Sequence, residues 1–406
     1  MQSESTARFS SLPCSYGQAA ILRRVYEQAD ISPLAELLIR RAQAGRADPG
    51  AALDLATLLL AQGGPLAEEG RVMQRAAAHV TPSYQVIHGD GSGPRILAIM
   101  TPGDFMTNTP VDFLVAGSNA VLIQHFVDET CETLDFPPHD VAFLAVGEGP
   151  ENAAVLANLE RLLPQHPGPV LNASPDVIAR LSRDRVSRML EGLPGVLCPP
   201  TRQVSRAELA AARSIDAPIL LRPIGSHAGA GLAKVESAED LTAYLSLHPG
   251  ERFFLTPFID YRGPDGIFEK ARVVLIGGKP FASHLASSRH WMVHYLNAGM
   301  EANPARRARE AAWMEGFETG FARRHAAALD AVTQAVGLDY FGLDCAELPD
   351  GRLLVFELDV AMIVHDMDDE TVFPYKKPAM RKLFDAFVAE CAIQARRCGP
   401  WACGPR

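Results

Sequence analysis

The sequence predicts a mixed α/β protein in three parts, and three changes of texture along the chain carry that prediction. Apolar residues recur at helical spacing up to about residue 80. Short apolar runs separated by helical stretches follow from about 93 to 172. Beyond about 173, strands and helices mix without strict alternation, as in an α+β domain. The expected parts are a helical segment over 1–85, a small parallel α/β domain over 93–172, a larger α+β domain over 173–395, and a tail over 396–406.

The helical segment rests on Leu34, Leu37, Leu38 and Ala42, and on Ala51, Leu55, Leu58 and Leu59. Gly45, Asp48-Pro49-Gly50 and Gly63-Gly64-Pro65 punctuate it. One pair of these helices resembles the tetratricopeptide or Sel1 type, too short alone for a solenoid. It reads either as a docking module or as a helical cap on the next domain.

The second part contains Ile96-Leu-Ala-Ile-Met, Ala120-Val-Leu-Ile, Val141-Ala-Phe-Leu-Ala-Val and Pro169-Val-Leu, with a helix over about 151–163. Runs that are apolar throughout suit parallel strands covered on both faces. The polar loops at 101–110 and 147–152 follow such strands, where ligands tend to sit. In the third part, strands are expected at Ile219 to Arg222, Phe253 to Thr256, Ala271 to Ile276, Pro280 to Ser287, Leu343 to Ala346 and Leu353 to Leu358. Gly277-Gly278 marks a hairpin. A single long helix is expected over about 304–336, with Arg306, Arg307 and Arg309 on a solvated face.

Composition narrows the function. The chain has 406 residues, which suggests two or three domains at roughly 150 residues each. Apolar residues make up 48% of it, enough for sizeable cores. A net charge of −10 argues against a duplex nucleic-acid binder, which needs a clustered basic face. No apolar run approaches membrane-spanning length, and the first residues carry no signal-peptide pattern. Seven scattered cysteines without a C-x-x-C pair suit a reduced, cytoplasmic setting. The run from Cys398 to Cys403 reads as a cross-linkable pair or as a frayed terminus.

Four clusters carry chemistry. Arg222 ends a strand and precedes a loop with Gly225, Ser226, His227, Gly229 and Gly231. Glycines let backbone N–H groups approach an anion closely, and a guanidinium fork holds two phosphate oxygens. Thr256, Pro257, Phe258, Ile259 and Asp260 form an apolar strand end leading to a carboxylate, suited to an adenine edge and a ribose hydroxyl. Asp344, Glu357 and Asp359 lie in two apolar strands that the Pro349-Asp350-Gly351 turn brings side by side. Positions two apart share a face, and convergent carboxylates suit Mg²⁺. Lys270, Arg272 and Arg289 are cations on or after strands, placed to stabilise a transferred phosphoryl group or an oxyanion. His290, His294 and Asn297 read as substrate contacts; the two histidines also fit general bases or structural roles.

Taken in order, these clusters resemble the ATP-grasp superfamily, in particular the branch of ribosomal protein S6–glutamate ligase and the glutathione synthetases. The resemblance spans about 170–385, with the preceding α/β region as the usual pre-ATP-grasp domain. It implies ATP and Mg²⁺ as cofactors. It places Arg185 and Arg222 where the family has ATP-contacting lysines, and Ser226, His227, Gly229 and Gly231 over the phosphates. Thr256 to Ile259 would hold adenine and Asp260 the ribose. Arg272 and Arg289 would contact the γ-phosphate or an acyl phosphate, and Asp344, Glu357 and Asp359 the metal. Two departures are visible: arginines replace both lysines, and Asp359 replaces an asparagine. The implied activity is ADP-forming ligation of a carboxylate to an amine or thiol, on a small molecule or peptide. A kinase on the same scaffold, or a nucleotide-binding scaffold docking through its N-terminal helices, are the alternatives. Homodimers are a habit of that superfamily.

Overall fold

The helical spacing of the first 80 residues produces four helices, α1 (Gln18–Tyr26), α2 (Ser32–Ala42), α3 (Pro49–Gln62) and α4 (Gly64–Val80). The coordinates are a computed structural model, which describes residues 12–44, 48–212, 214–226 and 229–397. Gly45, His227, Cys398 and Cys403 lie outside the described residues. Pro49 opens α3, and the Asp48 side chain accepts from Ala51 N at 3.1 Å, a good N-cap. Ile21, Leu34, Leu38, Ala51 and Leu58 close one small core. Ala77 packs with Tyr84 and Phe126 of the following sheet, so the helices cap that domain.

The second part is a five-stranded sheet of order β1-β3-β2-β4-β5. Its strands are β1 (Ser83–Ile87), β2 (Arg95–Met100), β3 (Val121–Phe126), β4 (Val141–Leu144) and β5 (Val170–Leu171). Only β1, at the edge, runs antiparallel. Both faces are covered, which is why these strands are apolar at every position. Helix α5 (Val111–Leu114) follows β2, and α6 (Ala153–Leu162) covers one face. The last helix, α14 (Lys376–Arg397), puts Leu383, Phe384 and Phe387 on the other.

The third part has two sheets. One is antiparallel, of order β7-β10-β8-β9, from β7 (Arg202–Ser205), β8 (Ile219–Pro223), β9 (Ala233–Val235) and β10 (Arg252–Pro257). Helices α9 (Arg206–Ala211) and α10 (Ala238–Leu247) pack on it, each opened by a reciprocal capping box, Ser205 with Glu208 and Ser237 with Asp240. The other has order β12-β11-β13-β14-β6. Its members are β6 (Val196–Leu197), β11 (Phe268–Ile276), β12 (Lys279–Ser288), β13 (Tyr340–Glu347) and β14 (Leu353–Asp359). The β11–β12 turn is Gly277-Gly278, with φ of +54° and +78°, the two left-handed residues such a hairpin needs.

The expected single helix over 304–336 is broken into α11 (Pro304–Glu315), α12 (Phe321–Arg324) and α13 (Ala326–Val336). Gly320 is where the chain folds back: a Cβ there would lie 2.7 Å from the Gly316 carbonyl oxygen. Arg309 is exposed and pairs with Asp265 and Glu269 at 2.6 and 3.1 Å, whereas Arg306 and Arg307 are half-buried. Two short helices, α7 (Pro175–Ile178) and α8 (Arg183–Met189), link the second part to the third. No helix among the described residues is long and apolar enough to cross a membrane.

Candidate active site

A cavity of about 340 Å³ is lined by residues of both sheets of the third part, by α8 and by the segment after β14. One region of its lining is apolar, with Val186, Leu220, Phe254, Pro257, Phe258 and Ile259. The lining also contains all four residues read as the adenine segment, Thr256 to Ile259, but not the residue read for the ribose. Thr256 shares a hydroxyl hydrogen bond of 2.9 Å with Thr201, which fixes its rotamer. Asp260 is the exception: it is exposed, outside the lining, and held by Arg262 at 3.0 Å. A partner two residues away captures the carboxylate before it can face the cavity.

Beside this apolar region stand the guanidiniums of Arg183 and Arg222, and Arg272 also lines the cavity. Arg222 is buried at the end of β8, and its Nε donates to Ser226 Oγ at 3.1 Å, so the cation and the glycine loop hold each other. Burial pushes its pKa down to about 10, and the neighbouring Arg183 charge adds to that. A buried and a half-buried guanidinium at one wall favour an anion between them. Gly229 also lines the cavity. Gly231, with φ of +67°, leaves only 2.6 Å between a would-be Cβ and Pro223 Cδ, so the turn requires glycine.

Arg185 does not occupy the place expected of it. It is exposed and donates to the Ala179 carbonyl at 3.1 Å. Arg183 takes the inward position, and the helix phase explains why. Arg183 and Val186 are three apart, share a face and both line the cavity; Arg185 is on another face.

The carboxylates meet as the hairpin predicts, with Asp344 directly opposite Glu357 and Gly342 opposite Asp359. They do not form a metal-ready trio. Asp344, 1% exposed, accepts from Arg272 Nε at 2.8 Å, Arg272 Nη2 at 3.1 Å and Lys270 Nζ at 2.6 Å. Burial alone would raise its pKa, but Arg272 and Lys270 hold it far below the carboxylate range. No group of three or more His, Cys, Asp or Glu side chains among the described residues could hold a metal. Asp344 is therefore the counter-ion of two cations, because β11 places Arg272 directly across from it. Glu357 pairs with Arg183 and Asp359 with the Ala361 amide at 2.9 Å. Burial raises the Asp359 pKa to about 7, with Glu357 and Glu148 adding repulsion. Two carboxylates on one strand face, with excess negative charge, fit a Mg²⁺ that takes its other ligands from phosphates.

Arg289 is likewise displaced. β12 ends at Ser288, so Arg289 is exposed and outside the lining. His294 lines the cavity, while His290 and Asn297 are exposed, and Asn297 Oδ1 accepts from the His294 amide at 2.9 Å. Asp368 joins them, and so do two residues the sequence did not single out, His284 and Lys376. His284 is kept neutral by burial and by Arg272. Lys376 lies 3.1 Å from Asp368 and 3.9 Å from the Tyr295 ring centroid. Behind them the fully buried Glu310 accepts from Leu285 N at 3.0 Å, Tyr295 Oη at 2.9 Å and Tyr375 Oη at 2.7 Å.

The fold and its cavity define a mixed α/β protein with a cation-lined cleft bordered by two sheets. No protein-family model and no curated protein matches the chain. Among solved structures, the chain is similar to D-alanine–D-alanine ligase from Bacillus anthracis complexed with ATP, at 15% identity and a TM-score of 0.44, covering 75% of this chain and 99% of that one. It is similar to a RimK domain ATP-grasp protein from Sphaerobacter thermophilus, at 17% identity and a TM-score of 0.42, covering 73% and 99%. It is similar also to VanG D-Ala:D-Ser ligase from Enterococcus faecalis, at 13% identity and a TM-score of 0.43, covering 74% and 99%. At such values, function has to be read from the chain's own residues.

Proposed function

We propose that this chain is an ATP- and Mg²⁺-dependent, ADP-forming ligase of the ATP-grasp type that joins a carboxylate to an amine or thiol. The observation that carries the reading is the convergence of cations and carboxylates on one cavity beside an apolar slot. Arg183, Arg222, Lys270 and Arg272 stand with Glu357 and Asp359 around it, next to Phe254 and Thr256 to Ile259. The apolar slot suits adenine, and Arg183 with Arg222 suits the phosphates.

In the reaction the substrate carboxylate attacks the γ-phosphorus of ATP, giving an acyl phosphate and ADP. The nucleophile then attacks the acyl carbon, phosphate leaves, and the amine or thiol proton is released. Catalysis of this kind is positioning and charge stabilisation. Lys270 and Arg272 bring two positive charges against the single charge of Asp344, so one net positive charge remains beside the reacting groups. Glu357 and Asp359 would hold Mg²⁺, which neutralises the phosphate oxygens. The Ser226–Gly231 loop would shield the phosphates from water.

The test is an ADP-release screen over pairs of amino acids and small carboxylates, with product analysis. Support is ADP, free phosphate and a new amide or thioester, each dependent on both substrates. A phosphorylated product without free phosphate would replace the ligase with a kinase, and nucleotide binding without turnover would leave only a nucleotide-binding scaffold.

A further inference from the structure

The segment that follows β14 forms one wall of the cavity, through Met362, Ile363, His365 and Asp368. It has no strand or helix of its own over 362–368, so its shape depends on what grips it. Three cations do. Arg272 Nη1 donates to the Ile363 carbonyl at 2.8 Å, and Lys376 pairs with Asp368 at 3.1 Å. The third grip comes from the far end of the chain. Arg23 in α1 donates to the Asp366 carboxylate at 2.5 Å and to its carbonyl at 3.3 Å. Beside it the Tyr26 ring lies 6.1 Å from the His365 ring, and Phe113 contacts the same imidazole at 6.3 Å.

We propose that Arg23 is a positioning residue of this cavity. By holding Asp366 it sets His365 and Asp368 in the wall that meets the non-nucleotide substrate. This rests on the ligase reading above only for the identity of that substrate. Neither Arg23 nor Asp366 lines the cavity itself, so the pair acts on the cavity only through the segment it holds. Helix α1 does not need Arg23 to stay in place. Ala19 N donates to the buried Asp112 at 2.6 Å, and Ile21 sits in the helical core. The Arg23 side chain is itself 35% exposed, and pairs this exposed add little to global stability. Its loss should therefore free the segment without unfolding the protein.

The experiment uses the full chain and four variants: Arg23→Ala, Arg23→Lys, Asp366→Asn and the reversed pair Arg23→Asp with Asp366→Arg. Hydrogen exchange of peptides over 361–373 should rise at least tenfold in Arg23→Ala and Asp366→Asn. It should stay closer to the parent in Arg23→Lys and recover in the reversed pair. Affinity for a fluorescent ATP analogue should stay within about twofold throughout. With a substrate pair from the ADP-release screen, KM for the non-nucleotide substrate should rise about tenfold in Arg23→Ala while KM for ATP does not move. Unchanged exchange over 361–373, or an equal loss of nucleotide affinity, overturns the proposal. If the screen yields no substrate, the ligase reading fails, and the exchange and charge-reversal results still decide the role of Arg23.

Discussion

Arg272 stands directly opposite Asp344 across the β11–β13 ladder, and its Nε and Nη2 engage both oxygens of that carboxylate. Lys270, two residues along the same strand face, adds a third contact at 2.6 Å. Asp344 is buried and its two cations are largely so, and the cost of desolvating the three charges is offset only while all three remain.

Removing Asp344 should therefore cost stability first. Asp344→Ala leaves two cations facing each other in a buried place and should destabilise the fold by about 3–5 kcal/mol. Asp344→Asn keeps a hydrogen-bond acceptor and should cost less. Urea unfolding measures both; a loss below about 1 kcal/mol for the alanine variant would show that the charges are hydrated instead.

Arg183 and Arg185 of α8 should behave differently. Arg183→Ala and Arg222→Ala should each weaken ATP-analogue binding about 10- to 100-fold, the worth of a charge-assisted hydrogen bond. Arg185→Ala should leave it within about twofold, since that side chain faces outward. Fluorescence titration distinguishes them, and equal effects at 183 and 185 would contradict the assigned helix phase.

Glu357→Gln should abolish ADP release while the circular dichroism spectrum and melting temperature barely change. Asp359→Asn should raise the Mg²⁺ concentration needed for half-maximal activity. Unimpaired turnover in Glu357→Gln would remove this strand face from the chemistry.

A pH effect should appear far from the site. Burial depresses the His125 pKa from 6.5 to about 4, with His139 adding repulsion, and its Nδ1 lies 2.8 Å from Ser83 Oγ. The folded protein thus holds this histidine neutral while the unfolded chain protonates it. The stability this contributes is present above about pH 6.5 and is lost as pH falls toward 4, up to about 3 kcal/mol. Melting curves between pH 7 and 4 should show the decline, and His125→Gln should flatten it. A decline that persists unchanged in that variant would assign it to other groups.

Much of this was readable because it is local or periodic. Gly277-Gly278 dictates its turn, and the two-residue repeat puts Glu357 and Asp359 on one strand face. Thr256 to Ile259 announce a strand end that does line the cavity. What could not be read depends on helix phase or on distant partners. Arg183 and Arg185 look equivalent until α8 is given a rotation, although Val186, apolar and three residues from Arg183, was a usable cue. Asp260 was lost to Arg262 and Arg289 to a strand ending one residue earlier. Asp344 looked like a metal ligand because its two cations sit 72 and 74 positions earlier in the chain. Glu310 reaches the Lys376–Asp368 pair from far away in sequence, its bond with Tyr375 spanning 65 residues.

The contact between Arg23 and Asp366 joins positions 343 residues apart. At about 5–20 residues per second of synthesis, the ribosome needs roughly 20–70 s to supply the second partner after the first. Helix α1 is synthesised long before the wall it grips exists. The wall around residues 362–368 is thus among the last parts of the cavity that a growing chain can assemble.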